Sequence, residues 1–106
     1  ITLSPEFVRW GSGALKVSYR STSVDTANNK MDISVFDTNG APVTLTGGPS
    51  TSLASTSWTT TTLNFGGSPT WTAGQDFLVK LKMYAKDNFQ MHTGDLTLDF
   101  VELPVQ

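Results

Sequence analysis

Short runs of alternating apolar and polar residues, separated by breaks rich in glycine, proline and asparagine, set the character of this chain. The clearest lie in its last third. Phe77, Val79, Leu81 and Met83 alternate with Leu78, Lys80, Lys82 and Tyr84, and Leu96, Leu98 and Phe100 alternate with Thr97, Asp99 and Val101. A two-residue period sends one row of side chains to a core and the other outward. Lys80, Lys82, Thr97 and Asp99 stand in the outward row, which suits antiparallel sheets with one wet face rather than parallel strands buried on both sides. Leu15, Val17 and Tyr19, alternating with Lys16, Ser18 and Arg20, predict an earlier strand, and Met31, Ile33 and Val35 another.

Asn39-Gly40 marks a hairpin turn after Val35. A two-residue loop would set Val35 against Thr44 and put apolar residues opposite the wrong face. A three-residue loop, Thr38-Asn39-Gly40, sets Val35 against Val43 and Ile33 against Leu45, and keeps one face apolar. The preferred reading is therefore a type I turn with Gly40 in the left-handed region closing a bulge. Residues 46–57 (TGGPSTSLASTS) read as a loop, near the length at which structureless loops are often functional. In the following stretch, SWTTTTLNF, Leu63 and Phe65 share a face that excludes Trp58; a bulge or a crossing between sheets would explain the slip, and Trp58 is read mainly as core. Residues 1–13, punctuated by Pro5, Gly11 and Gly13, form an N-terminal arm or edge strand, and residues 14–106 a single domain. Roughly seven or eight short strands, without a useful helix, predict an all-β fold, an antiparallel β-sandwich of jelly-roll type.

Composition narrows the chemistry. Charged residues are 15% of the 106, below the roughly 25% of a typical soluble domain. Eleven Ser and 16 Thr fill the difference, and Thr suits a half-exposed pleated surface. A net charge of −2 argues against nucleic acid, which needs several phosphates neutralised. Lys80, Lys82 and Lys86 are the one basic cluster and read as a solvated strand face. With no cysteine, disulfides and thiolate catalysis are excluded. No apolar run reaches transmembrane length, so no membrane partner is expected. The chain opens at Ile1 rather than Met, which fits processing, trimming or a fragment.

No catalytic set emerges. His92, the single histidine, would need an orienting carboxylate and a nucleophile; Asp87 and Asp95 are near in sequence, but MHTGD reads as a turn entering a strand. The nine acids are scattered, with no pairing that stands out for glycoside chemistry. Asp25, Asn28, Asn29 and Asp32 offer hard oxygens for calcium, although turn chemistry explains them equally well. No enzyme, cofactor or metal is expected. The aromatics offer more: Trp10 and Trp71, beside turn glycines, and Tyr84, on an outward row, are the candidate contacts for a partner or a sugar ring, core packing being the alternative.

From SWTTTTLNF through WTAGQDFLVKLKMYAKDNFQMHTGDLTLDFVEL, a Trp-led strand precedes a Gly-Gln turn, a strand of alternating aliphatics and a closing strand. This resembles carbohydrate-binding-module-like and galactose-binding-like jelly rolls. It is also similar to the decoration, or cement, proteins of tailed-phage heads, which reuse that sandwich; residues 72–103 carry most of the likeness. The resemblance implies a non-enzymatic β-sandwich on the capsid surface of a virion, often a homotrimer at local three-fold positions, that binds the major capsid protein lattice and stabilises it. No contact residue carries over, because the likeness lies in core positions and turns. The alternative is an extracellular carbohydrate-binding module, or a phage tail or fibre domain, that holds a glycan through exposed aromatics.

Overall fold

The alternating rows become two antiparallel sheets in the computed structural model, which describes residues 1–67 and 70–104. Among the described residues six strands are formed: β1 (Phe7–Ser21), β2 (Asn29–Phe36), β3 (Thr44–Thr46), β4 (Thr59–Gly66), β5 (Leu78–Ala85) and β6 (Met91–Glu102). One sheet has the order β3-β4-β1-β6 and the other pairs β2 with β5. Among the described residues there is no helix. The fold is all-β, a β-sandwich with fewer named strands than the periodicity predicts. The remaining pairings are isolated bridges: Thr2 with Asp76, Met31 with Leu53, and Phe36 with Pro42.

The inward rows make the core. Leu15 and Val17 of β1, Met31 and Val35 of β2, and Leu63 of β4 are at most 1% exposed, and Ile33 and Phe77 are buried beside them. Each such side chain contributes about 1.5–3 kcal/mol relative to exposure. Strand β1 is longer than the sequence pattern suggests: residues 7–13 form its first half, and its register against β6 shifts between Trp10 and Leu15. Residues 1–3 lie beside 75–77, with Leu3 N–H donating to Gln75 O and Phe77 N–H to Ile1 O, both at 2.8 Å.

The predicted turn is present. Val43 N–H donates to Val35 O at 2.8 Å, Asp37 N–H to Ala41 O at 2.9 Å and Gly40 N–H to Asp37 O at 3.0 Å. Gly40 has φ of 80°. Asp37 Oδ1 accepts from the N–H groups of Asn39 and Ala41, both at 2.9 Å, and so fixes the loop from its first residue. Past Val43 the chain leaves the expected hairpin. Leu45 pairs with Phe65 of β4, not with Ile33. The Ile33 N–H instead donates to Ser50 O at 2.7 Å, and Met31 and Leu53 exchange two bonds of 2.9 Å. Residues 46–57 are therefore tied down, with Leu53 buried and Thr61 Oγ1 donating to Pro49 O at 2.6 Å. This crossing laces one side of the sandwich shut, while β5 and β6 end their sheets on the other side.

Candidate functional site

The outward face of the β2–β5 sheet is built by register. Phe36 pairs with Leu78, Ser34 with Lys80, Asp32 with Lys82 and Lys30 with Tyr84, so these eight side chains share one surface. Leu78 is 56% and Tyr84 44% exposed, one at each end of β5. Two recesses follow the same division. Beside Leu78, an apolar hollow is lined by Phe36, Phe77 and the Asp37–Gly40 turn; beside Tyr84, a smaller one is lined by Ala27, Lys30, Asp32 and Lys82. Asp32 is partly committed, since its Oδ1 accepts from Ser52 N–H at 2.7 Å. The surface is amphipathic: apolar at one end, charged in the middle, aromatic at the other. It can hold a flat partner by burying Leu78 and Tyr84 around a polar centre.

The other outward face, on β1, β4 and β6, carries a residue misplaced by the sequence reading. Trp58 is not core; it is 54% exposed. Its parity explains this. Leu63 and Thr61 point inward, so Trp58, Thr60 and Thr62 point out, and no bulge is needed. Arg20 Cζ lies 5.5 Å from the ring centroid of Trp58, within cation–π range. The ring also sits over Gly94, where an added Cβ would come within 3.1 Å of it. Ser18, Gly94 and Asp95 complete a shallow recess beside it.

The three aromatics singled out from the sequence do not form one platform. Trp10 packs inside an aromatic cluster at one end of the core, edge-on to Phe7, Phe65, Trp71, Phe77 and Phe100, with centroids 4.7–6.1 Å away. Trp71 is half-buried and stacks on Phe65 at 5.4 Å, and its plane stands 85° from that of Trp10. Tyr84 lies seven residues along β5 from the Phe77 of that cluster, roughly 23 Å at strand rise.

The polar candidates are likewise apart. His92 lies within β6, opposite Arg20, and its Nε2 is 3.2 Å from Gln90 Oε1. Asp25 accepts from Ala27 N–H and Asn28 Nδ2, which makes it a turn anchor. Asn29 is fully buried and bonds to backbone, away from the outward Asp32. Among the described residues, no group of three or more His, Asp or Glu side chains is placed to hold a metal ion. No protein-family model, curated protein or solved structure matches this chain.

Proposed function

We propose that the chain is a non-enzymatic structural module, a decoration or cement protein that binds the lattice of major capsid protein on a tailed-phage head and stabilises it. The observation that carries this reading is the placement of exposed apolar side chains. Leu78, Met83, Tyr84 and Leu96, each 38–56% exposed, all lie on β5 and β6. Leu78 and Tyr84 face outward at the two ends of β5 with Lys80 and Lys82 between them, and Met83 and Leu96 stand on the inner rows of β5 and β6, so a partner that covers these two strands would bury all four. The sequence likeness over residues 72–103 covers the same two strands. A module that binds only the assembled lattice shifts the equilibrium toward it by mass action.

The experiment is cosedimentation of the chain with expanded tailed-phage heads stripped of their own decoration protein. Saturable pelleting and a raised shell disassembly temperature are expected, and Leu78→Asp with Tyr84→Asp should abolish both. Failure to pellet with any shell of a diverse panel would reject the reading.

Trp58 favours one second reading, glycan binding by a sandwich module. An exposed indole flanked by Arg20, Ser18 and Asp95 offers a stacking plane beside hydrogen-bonding groups. A glycan array probed with the native chain and with Trp58→Ala separates the two readings: a signal lost in the variant supports the module, and no signal from the native chain dismisses it.

A further inference from the structure

Strand β5 ends its sheet, and the direction of its free backbone groups follows from β2. Met31, Ile33 and Val35 send backbone bonds away from β5, to Leu53, Ser50 and Val43. Antiparallel alternation then turns the backbones of Lys30, Asp32, Ser34 and Phe36 toward β5. Their partners Tyr84, Lys82, Lys80 and Leu78 face back, so the N–H and C=O groups of Val79, Leu81 and Met83 point out of the edge. One extended segment already uses this edge lower down. Ile1 and Leu3 bond Phe77 and Gln75 in an antiparallel run, with Thr2 bridging Asp76, and that run covers the edge as far as Phe77. The ladder is therefore built, and open, from Val79 to Met83.

The opening is apolar inside and basic outside. Val79, Leu81 and Met83 form the inner row and carry no charge, and Met83 is 42% exposed. Asn29 Nδ2 lies 3.1 Å from Gln90 O and 3.5 Å from Tyr84 O, so β6 starts level with the end of β5 and runs back along it. That course brings Leu96, 38% exposed on the inner row of β6, toward the Val79 end. Apolar side chains of an added strand would thus find apolar surface on both sheets. On the outer row Lys80 and Lys82 are exposed and Lys86 follows, while the one acid of β2, Asp32, is engaged with Ser52 N–H. Lysines on an edge exclude like-charged strands. A second β5 laid antiparallel on this one and centred on Leu81, the alignment that uses all the free positions, would set Lys80 against Lys82 twice. A strand with acids at those positions pairs favourably instead.

We propose that β5 takes an extended segment of another protein as an added antiparallel strand, one in which apolar residues alternate with acidic ones. Its apolar residues stand opposite Val79, Leu81 and Met83, at the hydrogen-bonded positions, and continue the inner row. Its acids stand opposite Lys80 and Lys82, at the non-hydrogen-bonded positions where facing side chains come closest. Backbone bonds supply affinity whatever the sequence, and the two rows of side chains choose the partner. The inference does not rest on the capsid reading.

Fluorescence anisotropy of a labelled, capped peptide of alternating valine and glutamate, titrated with the whole chain, tests it. Saturable binding is expected, and the same peptide with lysine in place of glutamate should bind at least about tenfold more weakly. K80E/K82E should reverse that preference. Methylating the valine nitrogens should abolish binding, because they are the donors to the ladder; attraction by charge alone would survive it. No binding, binding that survives methylation, or a preference indifferent to K80E/K82E would overturn the proposal. Should the reversal disturb folding, amide exchange on the native chain decides. Val79, Leu81 and Met83 should exchange freely in the chain alone and become protected with the peptide, while Phe77, already bonded to Ile1, stays as it was. Protection in the chain alone, constant or growing with concentration, would show the edge covered by its own chain or by a second copy and would refute the proposal. Phage heads that pellet the chain although the peptide fails would sink the added strand and leave the capsid reading standing.

Discussion

Asn29 is a polar side chain with no solvent exposure, buried with Ser21 and Thr61 among the apolar residues of the core. Its Oδ1 accepts from Ser23 N–H at 3.0 Å and its Nδ2 donates to Gln90 O at 3.1 Å, so one side chain ties together the connections before β2 and before β6. Replacing it by Leu, of similar volume, strands the Ser23 N–H, worth about 1–3 kcal/mol, whereas Gln90 O keeps the bond from Thr22 N–H at 3.0 Å. Asn29→Leu should therefore lower the unfolding free energy by about 1–3 kcal/mol in a urea titration, and a loss below about 0.5 kcal/mol would show that water reaches the Ser23 N–H. Gly40 separates conformation from space. No heavy atom lies within 4 Å of where its Cβ would stand, and its φ is 80°. The cost of Gly40→Val is thus backbone strain alone, about 1–3 kcal/mol, while Gly40→Asn, which tolerates the left-handed region, should cost much less. Equal melting temperatures for the two variants would contradict this account.

Elements were legible in proportion to how far local periodicity decides them. The inward rows of β1 and β2 and the turn after Val35 are local matters, and they stand as the pattern predicts. The destination of Leu45 is not local. Its side chain faces the core whether β3 pairs with β2 or with β4, so parity is silent about which sheet it joins; the Ser50–Leu53 segment takes the vacated edge of β2. Trp58 failed for another reason. Thr59 and Thr61 occupy inward positions of β4, which hides the alternation, and the expectation that most aromatics are core points Trp58 inward although its parity with Leu63 points it out. The candidate surface was half legible: Tyr84 and Leu78 were placed outward by their row, but its recesses depend on the Asp37–Gly40 turn and the residues before β2 folding over its ends. Leu53 carries an element-scale prediction. It is 3% exposed and anchors a segment that otherwise reads as loop. Leu53→Ala should cost about 2–4 kcal/mol and expose the Met31 and Leu53 amides to exchange before the rest of the sheet, whereas uniform exchange would mean the segment is not a separate unit.

At the scale of the whole molecule the sandwich is closed on one side by the β3 crossing and open on the other, and that asymmetry makes its own demand. A sandwich whose inner rows reach solvent at Met83 and Leu96 gains stability from whatever covers them. If the cover is an added strand, folding is linked to the concentration of that strand, and the melting temperature of the native chain rises as the valine–glutamate peptide is added. Met83→Lys isolates this linkage. Lys at a position already 42% exposed can carry its stem along the apolar row and keep its ammonium in water, so the isolated chain should lose less than about 1 kcal/mol. The same ammonium would be trapped without a partner when another chain covers the row, which is how inward-facing lysines protect natural edges. The variant should therefore melt close to the native chain when each is alone and show no rise with the peptide. Collapse of the fold at every dilution would mean instead that Met83 is part of the core of a single chain, and the open side would not be open.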